Sequence, residues 1–380
     1  MLFNLNFFSQ RCILVLNQEV ASVSSEVYFI KTSISEGESV ISKKAQKLFK
    51  AGNFSRCFGE NDFTAIKVHI GEEGNNTYIT APCIKGLINE LIALNTRPFL
   101  TDTCTLYLGQ RNNALNHTVI ASRHGFCSDA LGVPFIVSDG LVGTSEVAIE
   151  VNGRHNKEVF IASEIEKSHS ILSLAHVTGH IATGLGATLK TLGMGCASKR
   201  GKLTQHAALT LVIGDDCMLC GECLKHCPAD AITLDKIKAH IDQDKCIGCA
   251  ECMAFCRFGA VECNWGLESE VIQQSIAEHA FGVLKNKKEK AAFFNFILSV
   301  TEDCDCFDTP DMRKIIDDIG IVASTDPVAV DKAAWDLIEK SGGKKLHKLI
   351  KNSELDPDIQ IMHAENMGLG SSKYKLIEID

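Results

Sequence analysis

Two copies of one cysteine pattern occupy the middle of the chain. The first copy consists of Cys217, Cys220, Cys223 and Cys227, and the second of Cys246, Cys249, Cys252 and Cys256. Both have the spacing C-x2-C-x2-C-x3-C, and every cysteine of the first copy has its counterpart 29 positions later. The flanks repeat with the same offset, since Asp215 matches Asp244 and Ala231 matches Ala260. A tandem repeat of this kind predicts one pseudo-symmetric unit, which we place at residues 207–264.

The spacing is typical of a site for iron–sulfur cubanes. Cysteines separated by two residues can surround one face of a 4Fe-4S cluster in a tight loop, and in two-cluster ferredoxins the fourth cysteine of each run ligates the other cluster. The sequence therefore predicts two 4Fe-4S clusters. The first would be held by Cys217, Cys220, Cys223 and Cys256, and the second by Cys246, Cys249, Cys252 and Cys227. Gly221 and Gly248 are expected at the sharp turns of the two loops. The alternative is zinc, which prefers two separated cysteine pairs.

Composition narrows the class of protein. The chain has 380 residues, 45% of them hydrophobic and 22% charged, which fits a globular protein of two or three domains. Its net charge of -9 argues against binding nucleic acid or an anionic membrane. Cysteine thiolate clusters suit a reducing cytoplasm. Residues 1–18 lack the basic start and cleavage site of a signal peptide, and no apolar run reaches membrane-spanning length. We therefore expect a soluble cytoplasmic protein.

Around the repeat, apolar periodicity alternates between strand and helix. Strands are predicted at 26–34, 64–70, 97–102, 133–138, 170–176, 291–300 and 320–324, and helices at 39–50, from residue 80, and at 112–124, 268–284 and 327–340. This rhythm predicts an α/β fold with a mostly parallel sheet covered by helices. Because the pattern resumes after the repeat, the cysteine-rich unit is expected as an insertion into one α/β domain. The expected units are an N-terminal extension with the first elements (1–63), the first part of the α/β domain (64–206), the cluster-binding unit (207–264) and the second part with C-terminal helices (265–380).

Several local signals mark the ends of these elements. Thr80 and Asp326 each stand before a helix with a proline in its first turn, and are predicted N-caps. Ser163 and Glu166 have the spacing of a capping box. Asn152 and the following glycine predict a type I′ turn in a hairpin formed by 147–151 and 157–162. Residues 1–25 fit an extension or an edge strand equally well.

Several strings together resemble the domain-of-unknown-function 362 family in its iron–sulfur form. They are 67–71 (KVHIG), 102–107 (DTCTLY), 121–126 (ASRHGF), 138–141 (SDGL), 179–180 (GH), 189–202 (LKTLGMGCASKRGK), 304–306 (CDC) and 323–328 (ASTDPV). The resemblance covers about residues 64–340. It implies an α/β domain that carries a two-cluster ferredoxin insertion. It implies no substrate, because the reaction of the family is unassigned.

Candidate site residues follow the predicted strands. His176 and His180 surround the loop after one strand, where open α/β sheets bind ligands, and either histidine would ligate a metal or transfer a proton. The alternative is a loop histidine bonded to backbone. Asp102 and Asp139 also follow strands and are candidates to contact a ligand.

A basic, glycine-dotted segment follows. Lys190, Lys199, Arg200 and Lys202 stand in a stretch without an acidic residue. It predicts either a cradle for a phosphate or carboxylate or a solvated loop that faces the acidic cysteine-rich unit. It matches no nucleotide-binding fingerprint.

The segment Cys304-Asp305-Cys306 is the last candidate. Two cysteines with one spacer can face the same metal ion, so the sequence predicts a third metal site with Cys196 or Cys104 as further ligands. The alternative is a pair of buried structural cysteines. The neighbouring acids are expected to raise a thiol pKa, which argues against a nucleophilic cysteine.

Three functions remain open. The first is an oxidoreductase whose clusters pass electrons to a small anionic substrate in the α/β domain, at a cleft lined by His176, His180, Lys190, Cys196 and the loop of Cys304 and Cys306. In this function Lys190 orients the anion and a histidine supplies the proton. The second is an electron carrier or adaptor that docks a redox partner protein. The third is a non-redox binding protein whose clusters are purely structural. The size of the α/β part favours the first.

Overall fold

The fold is an eight-stranded sheet with helices on both faces. The computed structural model describes residues 24–107, 109–206, 210–246, 251–264, 269–307, 309–310, 312–345, 348–349 and 355–380. The strands of the sheet are β1 (Ser25–Lys31), β2 (Phe63–Lys67), β3 (Arg97–Asp102), β4 (Phe135–Val137), β7 (Ser170–His176), β14 (Ala291–Ile297), β15 (Gly320–Ser324) and β16 (Tyr374–Glu378). Their spatial order is β16-β1-β15-β14-β7-β2-β3-β4.

The sheet is mostly parallel, as its sequence pattern predicts. The five strands from β14 to β4 pair in parallel, and β1 pairs in parallel with β16. Only β15 runs the other way, since it is antiparallel to both of its neighbours. Buried strands of this kind are apolar on both faces, and all seven residues of β14 are buried.

The helices form two layers. They are α1 (Glu38–Ala51), α2 (Ala81–Ala93), α3 (Ala114–Arg123), α4 (Ser128–Leu131), α5 (Ser163–Lys167), α6 (Thr188–Gly193), α7 (Lys199–Gln205), α10 (Ser269–Leu284), α11 (Pro327–Gly342) and α12 (Asp358–Asn366). Side chains alternate between the faces of a strand. Phe294 therefore packs in a core with α1, α2 and α3, while its neighbour Phe293 packs in the opposite core with α6, α10 and α11.

The predicted caps have different outcomes. Asp326 caps α11, since its carboxylate accepts hydrogen bonds from the backbone N–H of Val328 and Ala329. Thr80 precedes α2 as predicted, but its hydroxyl donates to Glu38 at 2.6 Å instead of capping. The capping box at Ser163 is wrong, because Ala162 precedes α5 and no side chain caps this helix.

The hairpin is present, but its turn differs from the prediction. Strands β5 (Glu146–Glu150) and β6 (Glu158–Ala162) pair in antiparallel fashion. The chain reverses over residues 153–156, where Gly153 N donates to Asn156 O at 2.8 Å, so the type I′ turn at residues 152–153 is wrong. The physical reason is a distant carboxylate. Glu278 of α10 accepts hydrogen bonds from the backbone N–H groups of His155 and Asn156 and thereby selects the longer loop.

The cysteine-rich segment lies between α7 and α10, and its structure repeats with the sequence. Its elements are β10 (Thr210–Ile213), α8 (Glu222–Lys225), β11 (Ile232–Leu234), β12 (Ala239–Ile241), α9 (Glu251–Phe255) and β13 (Val261–Asn264). The three elements of the first copy recur in the second with the offset of 29 positions. Strand β10 pairs with β13 and β11 with β12, so each pair joins the two copies. His226 stacks on Phe255, its counterpart in the repeat, with ring centroids 3.6 Å apart.

Some predictions fall outside the described residues. They concern Cys249, Gly248 and residues 1–23. In the described part of the chain, no helix is long and apolar enough to cross a membrane. Gly221 lies at a sharp turn as predicted, since it precedes α8 with a φ of 74°.

Candidate functional site

The sheet has a topological switch point between β2 and β7. From β2 the chain moves outward to β3 and β4, whereas from β7 it moves in the opposite direction to β14. Open α/β sheets bind ligands in the crevice outside the carboxyl ends of two such strands. Here the loop after β2 contains His69, β7 ends at His176, and the loop after β14 carries Cys304, Asp305 and Cys306.

The loop after β14 is fixed by a buried ion pair. His176 Nδ1 lies 2.6 Å from a carboxylate oxygen of Asp305, and His176 Nε2 lies 2.7 Å from Leu298 O. Burial alone would lower the pKa of His176, but the Asp305 carboxylate raises it. Burial would likewise raise the pKa of Asp305, and His176 lowers it. Thr77 donates to the second oxygen of Asp305 at 2.7 Å. His176 therefore positions the cysteine loop, and its two ring nitrogens are already occupied.

A glycine permits the close approach of a hairpin to this loop. Strands β8 (Thr178–His180) and β9 (Gly184–Gly186) form the hairpin. Gly179 N donates to Thr301 O at 2.7 Å. A Cβ atom on residue 179 would lie 2.1 Å from the carbonyl oxygen of Glu302. Only glycine fits, and the hairpin places His180 beside the cysteines.

Cys306 is the acceptor in a small hydrogen-bond cluster. Gly71 N donates to His69 Nδ1 at 3.2 Å, so His69 carries its proton on Nε2, which lies 3.3 Å from Cys306 Sγ. The hydrogen bond from the Cys304 thiol is the largest cause that holds the pKa of Cys306 well below its usual value, and His69 and Arg111 act in the same direction against burial. The same bond raises the pKa of Cys304.

The prediction that acidic neighbours raise the pKa of these thiols is therefore wrong for Cys306. The carboxylate of Asp305 faces His176 and Thr77. The sulfur of Cys306 faces His69 and the guanidinium of Arg111 instead. Only the tertiary structure decides which neighbours a side chain meets.

Lys190 and His180 lie beside the cysteines. His180 Nδ1 accepts hydrogen bonds from the backbone N–H of Ala182 and Thr183, at 3.3 and 3.2 Å, which leaves the proton on Nε2. Burial lowers the pKa of His180 well below its usual value, and the charge of Lys190 lowers it further. The same lysine lowers the pKa of Cys304 and of His206. Among the residues that the structure describes, Lys190 has no hydrogen bond or ion pair.

The rest of the basic segment is committed to the fold. Lys202 Nζ donates to Thr103 Oγ1 and Ala197 O, each at 2.5 Å. Arg200 lies over the ring of Phe160 at 3.7 Å and pairs with Glu146. Lys199 is buried too. The prediction of a four-cation cradle, and its alternative of a solvated loop, are therefore both wrong for these three residues, and Lys190 alone remains available.

The two strand-terminal aspartates hold loops. Asp102 forms buried ion pairs with Lys67 at 2.9 Å and Arg111 at 3.3 Å. Asp139 accepts a hydrogen bond from Cys104 N at 3.0 Å. Arg111 also donates to Glu72 at 3.2 Å, so this guanidinium joins the loops after β2 and β3. Sequence analysis missed Lys67, His69 and Arg111. The signal for the first two was their place in the string 67–71, at the end of a buried strand.

Cys104 and Cys196 are separate from the Cys304–Cys306 pair. The thiol of Cys196 donates to Thr191 O at 3.6 Å, and that of Cys104 to Gly140 O at 3.8 Å. Cys196 is fully buried and lines no cleft. Within the described ranges, no three His, Cys, Asp or Glu side chains form a group that could hold one metal ion.

The cysteine-rich insertion contains a pocket. Its lining includes Cys217, Cys220, Cys223 and Cys256, the four thiols that the repeat assigns to one site. The space amounts to about 350 Å³ with its open mouth, and apolar side chains such as Ile213, Leu234 and Val261 complete the wall. Ala239 N donates to Cys217 Sγ at 3.4 Å, and Ala231 N donates to Cys227 Sγ at 3.3 Å.

The remaining cysteines of the repeats lie in the same insertion. Cys252 is buried in its small core, and Cys227 packs against that core. Cys246 is partly exposed.

Two leucines join the insertion to the α/β domain. Leu106 follows β3 and Leu203 lies in α7, and both pack in one core with Leu211, Cys223 and Cys252 of the insertion. Tyr107 follows Leu106, and its hydroxyl accepts a hydrogen bond from Arg111 at 2.5 Å. One short loop thus connects the insertion with the group around Cys306.

Comparison with known proteins comes last. Two solved structures are similar to this chain. The lactate racemase apoprotein from Thermoanaerobacterium thermosaccharolyticum matches at 14% identity with a TM-score of 0.39, over 72% of this chain and 50% of that one. A protein from Thermotoga maritima, a target of the Northeast Structural Genomics Consortium, matches at 12% identity with a TM-score of 0.41, over 81% of this chain and 59% of that one. This chain therefore spans half to three fifths of the length of those two.

No curated protein matches the chain. The profile of one family, described as a domain of unknown function (DUF362), matches residues 64–336. Since that match covers most of the sequence, the chain belongs to the DUF362 family.

Proposed function

We propose that this protein binds two 4Fe-4S clusters in its cysteine-rich insertion and transfers electrons within an oxidoreductase. The observation that carries the proposal is the pocket lined by Cys217, Cys220, Cys223 and Cys256. These residues come from both copies of the repeat, and the cross-ligation rule for two-cluster ferredoxins selects the same four. Zinc would favour two separated pairs of cysteines within one copy.

The lining of the pocket fits a cubane cluster. Four thiols supply the ligands, while apolar side chains limit the access of water, and burial is one of the factors that set a cluster potential. Backbone N–H groups donate to Cys217 and Cys227, and hydrogen bonds to sulfur tune the potential further. When bound, such clusters accept and release electrons one at a time.

The α/β domain would bind the substrate at the switch point. Lys190, without a partner among the described residues, would bind an anionic group, and His180 Nε2–H would donate a hydrogen bond to it. His176 would serve the site by holding the cysteine loop through Asp305. The shared core around Leu106 and Leu203 supports electron transfer between insertion and site, because it leaves the two parts in direct contact.

A second candidate function is that of an electron carrier that docks a redox partner. Large apolar side chains on the insertion are 40–78% exposed, which is unusual for a surface without a partner. They are Met218, Leu219, Leu224, Leu234, Ile237 and Phe258. Replacing Met218 and Ile237 with serine would slow reduction by a partner protein in this function. It would leave reduction by a small chemical reductant unchanged.

The proposal is tested by metal analysis of protein purified without oxygen. We expect about eight irons and eight acid-labile sulfides per chain, and reduction of both clusters by a strong low-potential reductant. Cys220→Ala is expected to lose one cluster signal, whereas Cys127→Ala, a partly exposed cysteine outside the repeats, should lose none. Stoichiometric zinc without sulfide would contradict the proposal. Clusters that resist all reduction would favour a purely structural role.

A further inference from the structure

We propose that Cys304 and Cys306 form a redox-active dithiol that exchanges with small-molecule disulfides. The inference goes beyond the proposed function, because it concerns two cysteines outside the repeats and needs no cluster. Its basis is the arrangement of the two sulfurs, the groups around them and their unequal exposure.

The backbone brings the two cysteines together. Phe307 N donates to Cys304 O at 3.2 Å, which closes a turn over residues 304–307. A turn shortens the separation of positions i and i+2 relative to an extended chain, and a disulfide requires such short Cα separations. The thiol of Cys304 already donates a hydrogen bond to the sulfur of Cys306, so the two sulfurs are in contact before any reaction.

The surroundings give the two cysteines different roles. Cys306 is partly exposed, whereas Cys304 is buried. His69 Nε2–H and the guanidinium of Arg111 face the sulfur of Cys306, and no carboxylate bonds to it among the described residues. An accessible sulfur stabilised by donors and cations, with a second thiol behind it, is the arrangement of a reactive cysteine with a resolving partner.

The reaction balances with a disulfide compound as oxidant. The thiolate of Cys306 attacks one sulfur of the compound, a bond forms between them, and the other half leaves as a thiolate. Cys304 then gives up its proton and attacks the sulfur of Cys306, which expels the second half as a thiolate. The compound gains two electrons, and the chain is left with a Cys304–Cys306 disulfide. Lys190, whose charge reaches Cys304, favours a compound that carries a carboxylate.

Mass spectrometry of the full-length protein tests this inference. The reduced protein is incubated without oxygen in mixtures of reduced and oxidised glutathione, blocked with iodoacetamide and digested with trypsin. Cleavage after Lys290 and Arg313 gives one fragment whose only cysteines are Cys304 and Cys306. In oxidising mixtures we expect this fragment without alkyl groups and two hydrogens lighter than its dithiol form.

Single variants separate the two roles. Cys304→Ser should trap glutathione on Cys306 as a stable mixed disulfide. In Cys306→Ser, the remaining thiol of Cys304 should react with iodoacetamide more slowly by a factor on the order of ten. Cys127→Ser replaces a partly exposed cysteine elsewhere and should leave the internal disulfide unchanged.

Two results would overturn the inference. One is a fragment that stays fully alkylated in mixtures that already modify Cys127. The other is equal reactivity of Cys304 and Cys306 in the single variants. Iron and sulfide measured on the same samples keep the proposals apart, because loss of iron with normal disulfide formation counts against the clusters alone.

Discussion

Lys67 and Asp102 end neighbouring parallel strands, and their side chains meet in a buried ion pair at 2.9 Å. Arg111 joins the same carboxylate from the following loop. Buried charges occur where they are paired, since an isolated charge loses its hydration without compensation. These ionisable residues therefore serve mainly to fix the loops at the carboxyl edge of the sheet. The groups left over, Lys190 and Cys306, gain functional interest for that reason.

Glu278 is the clearest case of a buried carboxylate that selects a local structure. Its oxygens accept hydrogen bonds from His155 N at 3.0 Å and Asn156 N at 2.8 Å, and also from the side chains of Asn156 and His363. Burial would raise its pKa, but the bond from His363 and those from His155 and Asn156 lower it to about 2.

The first prediction is that Glu278→Gln destabilises the protein in a way that depends on pH. Because the folded-state pKa lies below the unfolded value of about 4.3, the stabilisation is fully present above that value. It is lost as pH falls toward about 2. At pH 7 we expect a loss on the order of 1–3 kcal/mol in the free energy of unfolding, and a smaller one at pH 3.

Urea unfolding at the two pH values measures this effect. Glu270→Gln is the matched control, since Glu270 lies on the same helix with its side chain 60% exposed. A loss for Glu278→Gln that is equal at both pH values would show that the charge of the carboxylate is unimportant.

At the scale of elements, the β8–β9 hairpin and the loop after β14 depend on each other. The hairpin carries His180 and the loop carries the cysteine pair, and both pass over the carboxyl ends of the central strands. Gly179 makes the contact possible, because any side chain there would overlap the backbone of Glu302.

The second prediction is that Gly179→Ala displaces the loop. A methyl group 2.1 Å from a carbonyl oxygen cannot be accommodated without movement of one backbone. We expect slower formation of the Cys304–Cys306 disulfide together with a lower melting temperature. Differential scanning calorimetry and the glutathione assay measure the two effects.

Gly132→Ala is the control for Gly179→Ala. Gly132 has a φ of 78° and open space around its Cβ position, so alanine there strains the backbone by roughly 1–2 kcal/mol without a clash. Normal disulfide formation in Gly179→Ala, at a cost in stability no greater than that of Gly132→Ala, would contradict the proposed dependence.

At the scale of the whole molecule, the insertion shares a core with the domain that carries it. Leu203 of α7 is 5% exposed and packs with Leu211 and Cys223. Inserted units that share a core with their host are expected to unfold with it, whereas units on flexible linkers unfold alone.

The third prediction is that Leu203→Ala loosens the insertion. Removing a buried leucine side chain costs about 2–5 kcal/mol, and here the loss falls on the contact between the two parts. Limited proteolysis should cut the insertion faster in the variant, at sites such as Lys236 and Lys238. Leu115→Ala, at a leucine that is 68% exposed on α3, should leave the rate unchanged. Equal rates in both variants would mean that the core around Leu203 does not hold the insertion.

The sequence by itself determined the features that depend on local pattern. Period and length predicted the strands and helices of the α/β domain, and the 29-residue repeat of the cysteines reappears in the elements around them. The cap at Asp326 was also readable, since a cap involves only its next few residues.

The tertiary structure decided which side chains meet. Glu278 lies more than a hundred residues from the turn that it organises, and no local signal at Asn152 reveals it. Likewise, the acids beside Cys306 in the sequence predicted a raised thiol pKa, whereas His69 and Arg111 lower it from distant loops. A pKa or a turn is set by the atoms within a few ångströms, and in a parallel sheet those atoms come from strands that are far apart along the chain.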